Sequence, residues 1–136
     1  IGGNNTQAAG HRASELACSF QGNKANQVPN LTEALFQAIR TICAQVKAQG
    51  LTAQISSITS GSHAPNSLHY RGCAVDFAGG DPNYVNNPTG KAVFAAASSA
   101  GLVINPGGDA NQTFHIHVDV GASNCTAPRI PDSQRG

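Results

Sequence analysis

From Leu31 to Gln49, apolar residues recur at three- and four-residue steps: Leu31, Leu35, Ala38, Ile39, Ile42 and Val46 share one stripe. That spacing predicts an amphipathic helix, capped by Asn30 and stopped at Gly50. A second amphipathic helix is predicted from Lys91 to Ala100, ending near Gly101. Thr6 to Phe20 carries Ala8, Ala9, Leu16 and Ala17 among polar residues and reads as a third helix, weakened by Gly10. Strand signals follow a period of two: Leu51 to Thr59, Gly72 to Ala78, Leu102 to Ile104 and Thr113 to Val120. In the last of these, His115, His117 and Asp119 fall on one face, with Phe114, Ile116 and Val118 directed to the core. The intervening stretches 21–29, 60–66, 81–90 and 105–112 have the Gly, Pro and Asn content of loops. This order predicts an α+β fold, a small antiparallel sheet flanked by helices.

With 136 residues, the chain is expected to be a single domain around one core. Residues 1–50 form its helical N-terminal part, 51–120 its core and 121–136 a tail with Pro128 and Pro131. Only 11% of residues are charged and the net charge is +1, so no basic stripe is available for nucleic acid. No apolar run approaches the roughly 18 residues that span a bilayer. The chain starts at Ile1 and has no methionine, which suggests a processed product or an excised domain. Cys18, Cys43, Cys73 and Cys125 lie far apart with no CxxC pair, which favours two disulfides over a four-cysteine zinc site. Of the three possible pairings, Cys18–Cys43 and Cys73–Cys125 is preferred. An oxidising, extracytoplasmic compartment is then expected, secreted, periplasmic or cell-wall.

The chemistry concentrates in two segments, Ser67-Leu68-His69-Tyr70-Arg71-Gly72-Cys73-Ala74-Val75-Asp76 and His115-Ile116-His117-Val118-Asp119. Imidazoles and carboxylates at these spacings suit a three-ligand zinc site, which keeps a fourth position open for water. A His-x-His pair on a partly buried strand is costly unless the rings have partners, and a metal is one such partner.

His69-Tyr70-Arg71-Gly72-Cys73-Ala74-Val75-Asp76, closed by His117, resembles the zinc D-Ala-D-Ala carboxypeptidases and dipeptidases and the related L,D-endopeptidases. It is also similar to the Hedgehog signalling domain, which shares their fold. The likeness covers about residues 55 to 120, including the Ser60-Gly61 turn. It implies a Hedgehog/DD-peptidase-like fold and one zinc ion per chain on His69, Asp76 and His117. It further implies hydrolysis of the peptide stems of bacterial peptidoglycan by a monomeric enzyme. His115 matches a second histidine beside the metal, and His63 another active-site position. Oxyanion stabilisation falls to His63 or Arg71, and Ser67 and Arg71 are candidate substrate-binding residues.

The chain departs from the family at the general base, a Glu or Asp shortly before the last histidine. Asn111, Gln112, Thr113 and Phe114 occupy those positions here. The nearest upstream carboxylate is Asp109, so Asp109 and His115 are the candidate bases. Asp119 is expected to orient a ligand histidine. The missing carboxylate keeps a second reading open, a catalytically silent zinc-containing binding module. A third is a disulfide-stapled domain with structural histidines.

Overall fold

A computed structural model describes residues 8–106 and 113–136. The fold is α+β. Strands β1 (Ser19–Phe20), β2 (Gln54–Ser57), β3 (Ala74–Phe77), β4 (Val103–Pro106) and β5 (Ile116–Asp119) form one sheet in the order β1-β2-β3-β5-β4. Helices α1 (Glu33–Ala48) and α2 (Pro88–Ser99) pack together against it.

The sheet is mixed rather than purely antiparallel, because β1 runs parallel to β2. Here the expected helix over Thr6 to Phe20 is overturned from Ala8 onward, Thr6 and Gln7 lying outside the described residues. Gly10 has φ of 73°, outside the helical region, and the chain at Ala8 forms a bridge to Thr32. Only Ala13–Glu15 makes a short 3₁₀ turn before Ser19 and Phe20 pair with Gln54 and Ile55. Alanine content favoured a helix, but the backbone donors of Ala9 and Gly10 go to Leu31 and Pro29 carbonyls instead. The expected loop 21–29 contains a 3₁₀ helix, Lys24–Asn30.

The stripe on α1 is buried as the periodicity requires: Leu35, Ile39, Ile42 and Val46 are fully inaccessible. Its N-cap is Thr32, not Asn30, whose side chain donates instead to Thr59 Oγ1 and the Gln134 carbonyl. α2 starts three residues earlier than its apolar pattern suggested. Pro88 fits the first helical turn, and Asn87 Oδ1 accepts from Gly90 N at 2.7 Å. Beneath the helices, Ile55, Val75, Phe77, Ile116 and Val118 supply the apolar face of the sheet.

Two disulfides close the structure. Cys18–Cys43 ties the chain before β1 to α1, and Cys73–Cys125 ties the start of β3 to the tail. The tail is not loose. Arg71 Nε donates to Ala127 O, Ile130 N to Tyr70 O, and Thr59 Oγ1 to Arg135 O. Among the described residues, no helix is long and apolar enough to cross a membrane.

A candidate metal centre

The site is built by register. In the antiparallel ladders, Ser57 stands opposite Asp76, Asp76 opposite His117, and His117 opposite Asn105. This cross-strand row borders an open cleft of about 970 Å³. Because side chains alternate, burial of Val75, Phe77, Ile116 and Val118 beneath the sheet leaves Asp76, His117 and Asp119 on the cleft side. His69 enters from a 3₁₀ turn, Leu68–Arg71, whose first amide groups are met by Ser67 Oγ accepting from His69 N. Gly72, at φ 71°, turns the chain from that helix into β3. Only glycine fits: an added Cβ would lie 2.2 Å from the Asn30 carbonyl oxygen.

Three ligand-type atoms converge there. His69 Nε2 lies 3.2 Å from His117 Nδ1, His117 Nδ1 lies 3.1 Å from Asp76 Oδ1, and His69 Nε2 lies 3.3 Å from Asp76 Oδ1. Tetrahedral zinc with bonds of about 2.0–2.1 Å spaces its ligand atoms by about 3.3 Å. Both histidines are tied at their other nitrogen. His69 Nδ1 donates to the Ile58 carbonyl at 2.7 Å, and His117 Nε2 donates to Asp119 Oδ2 at 2.7 Å. A carbonyl and a carboxylate only accept, so each neutral ring keeps its lone pair for the centre. Asp119 is fixed in turn, its Oδ1 accepting from Gly121 N.

Three converging lone pairs need a cation or a proton between them. Burial works against a charge on His117, but hydrogen bonds to Asp119 and Asp76 outweigh it and push its pKa up to about 9. Burial likewise works against the Asp76 carboxylate, but hydrogen bonds from His117 and His69 hold it well below the usual range. The proton on His117 Nδ1 thus stands where a metal ion would.

His63 completes a wider cluster. Its ring stacks on His69 at 3.9 Å, and one atom each from His63, His69 and Asp76 lie within 4.8 Å of one another. The described residues therefore hold a His-His-Asp group able to bind a metal. Two such trios share His69 and Asp76. The trio with His117 has the shorter edges and both outer nitrogens tied, whereas His63 directs Nε2 at Ser60 O (3.0 Å) and Ser57 Oγ (3.1 Å). Burial, and the nearby His69, hold the His63 pKa below its ordinary value. A neutral His63 with Nε2–H on Ser60 O has only a lone pair left at Nδ1.

His63, Ser67, His115, His117 and Asp119 all line the cleft with His69 and Asp76. His115 lies just before β5, which begins at Ile116 and not at Thr113. Phe114 consequently leaves the core and is 49% exposed at the cleft rim. His115 Nδ1 is buried with no hydrogen-bond partner among the described residues. Arg71 does not line this cleft; it lies in an adjoining cavity with Ser67. Asp109 lies outside the described residues.

Sequence reasoning missed Tyr70, whose OH accepts from His63 N (2.8 Å) and lies 3.1 Å from Gly61 O, fixing the His63 loop. It also missed Gln27, whose Oε1 accepts from Thr59 N and Ser60 N. Tyr70 sat inside the quoted motif, but a phenol's partners are not written in its neighbours. Compared with known proteins, the chain matches no family model and no curated protein.

Proposed function

We propose that His69, Asp76 and His117 hold one zinc ion and that the protein is a zinc peptidase acting on peptide stems of bacterial peptidoglycan. One observation carries the metal assignment: three lone-pair atoms 3.1–3.3 Å apart, with both imidazoles oriented by acceptors behind them. The substrate class rests on the motif around His69 to Asp76 and on its resemblance to the D-Ala-D-Ala peptidases.

Zinc at such a site supplies Lewis acidity, lowering the pKa of water towards ~7 and polarising a carbonyl. The protein's own groups do the rest. Asp119 and Ile58 O hold the two rings in the tautomers that present Nδ1 and Nε2. His115, whose ring lines the cleft, takes the proton of the attacking water and passes it to the leaving amine. His63 stacks on His69 beside this centre, and burial together with His69 favours its neutral ring.

One observation favours the silent binding module. Among the described residues lining the cleft, the carboxylates are Asp76 and Asp119, and both are engaged by histidines. Neither is free to act as base. Digestion of purified peptidoglycan with zinc-loaded protein, read by mass spectrometry beside Asp76→Ala, separates the two. New stem-peptide fragments that vanish in the variant support the peptidase. Stoichiometric zinc without release from several peptidoglycan types selects the module.

A further inference from the structure

A second cavity, of about 370 Å³, adjoins the metal cleft and shares Ser67 with it. Its lining is Pro65, Asn66, Ser67, Tyr70, Arg71 and Arg129, two guanidiniums with an amide and two hydroxyls and no acid. The chain brings the arginines together from far apart. Arg71 follows Tyr70 in the turn that carries His69. Arg129 comes from the tail, which Cys73–Cys125 and the bond from Ile130 N to Tyr70 O draw against that turn.

Both cations are anchored by neutral groups. Arg71 Nε donates to Ala127 O at 2.7 Å. Arg129 Nη1 donates to Pro65 O, and its Cζ lies 4.8 Å from the centre of the Tyr70 ring. Among the described residues, neither forms an ion pair, while the nearby tail acid Asp132 is taken by Arg135. Two guanidiniums are therefore held in place with their charge uncompensated and donors to spare. Such fixed forks match the geometry of a carboxylate or phosphate and lose little freedom on binding one. Ser67 Oγ accepts from His69 N, which leaves its O–H to donate.

We propose that this cavity is an oxyanion-binding subsite, formed by Arg71, Arg129 and Ser67, for a carboxylate or phosphate on the ligand of the metal cleft. The inference rests on reading that cleft as a substrate site. Through Ser67, the anion would bear on the same turn that presents His69, so the subsite selects ligands charged at a fixed distance from the metal.

The test uses ¹H–¹⁵N NMR of the zinc-loaded protein titrated with glutarate and, separately, with inorganic phosphate, against chloride at equal ionic strength. Saturable shifts confined to Ser67, Tyr70, Arg71 and Arg129 are expected, weakened about tenfold in Arg129→Gln. Arg71→Gln is expected to act alike, and Arg129→Gln guards against a folding effect of losing the Arg71–Ala127 bond. The anion that saturates first identifies the source as carboxylate or phosphate. Shifts no larger than chloride gives, or shifts that persist in Arg129→Gln, overturn the subsite. Zinc content and peptidoglycan release in the same samples keep the two ideas separable. Saturation without release removes the peptidase alone, and release without saturation removes the subsite alone.

Discussion

Substituting Gly72 by alanine tests how tightly the centre is locked to the scaffold. Gly72 links the turn bearing His69 to the strand bearing Asp76, at φ 71°. Holding an alanine in that left-handed region costs about 1–2 kcal/mol. The added Cβ would also lie 2.2 Å from Asn30 O and 3.2 Å from Asn30 C, which are backbone atoms and cannot rotate aside. Overpacking of this kind costs about a further 1–3 kcal/mol, so Gly72→Ala should lose about 2–5 kcal/mol. Gly50→Ala is the internal reference. Gly50 has φ 78° with nothing within 4 Å of an added Cβ, so only the conformational cost of about 1–2 kcal/mol applies. Urea unfolding of both variants beside the parent, in chelator, yields the difference directly. Since relief of the clash separates His69 from Asp76, Gly72→Ala should also bind zinc more weakly, and Gly50→Ala should not. Equal losses in the two variants, with zinc affinity intact in both, would refute the close approach and the coupling drawn from it.

Other outcomes follow from the same geometry. Asp119 accepts with both oxygens, from His117 Nε2 and from Gly121 N, whereas asparagine has one acceptor; Asp119→Asn should weaken zinc binding about 10- to 100-fold. Chelator competition at about pH 9.5, where His117 is largely neutral, reads this, and an unchanged affinity would mean the carboxylate does not set the ring. In metal-free protein the pKa of His117 is raised from 6.5 to about 9, so its contribution is complete below pH 6.5 and lost as pH rises towards 9. That contribution is at most about 3 kcal/mol; urea midpoints in chelator should fall across this window in the parent and much less in His117→Gln, and parallel profiles would contradict it. The bridges close loops of 25 and 52 residues, so loss of each should cost about 3–4 kcal/mol, read as the unfolding midpoints of Cys18→Ala/Cys43→Ala and Cys73→Ala/Cys125→Ala. A cost below about 1 kcal/mol for either pair would show the bridge to be incidental.

What could be read from the chain was what local spacing encodes. The stripe from Leu35 to Val46 has the helical period, and burial confirms that face. His69, Asp76 and His117 were marked by their spacing and motif, and the ladder does set Asp76 opposite His117. Errors arose where distant partners decide. Ala8, Ala9 and Ala17 favoured a helix, but Ser19 and Phe20 are claimed by Gln54 and Ile55, more than thirty residues on. Phe114 fits the alternation of a strand that begins only at Ile116, which leaves its ring at the cleft rim. Asn30 is an acceptable cap by type, yet Thr59 and Gln134 engage its amide. Arg129 and Tyr70 meet only because the tail folds back, a contact with no signature in sequence spacing.

The central claim, zinc on His69, Asp76 and His117, is tested most directly by X-ray absorption at the zinc edge of the loaded protein, beside His117→Ala and His63→Ala. The account predicts one zinc per chain with only nitrogen and oxygen neighbours at about 2.0–2.1 Å and two imidazoles. One imidazole should disappear in His117→Ala, with none lost in His63→Ala. Failure to retain zinc, or loss of an imidazole in His63→Ala with none lost in His117→Ala, would contradict it.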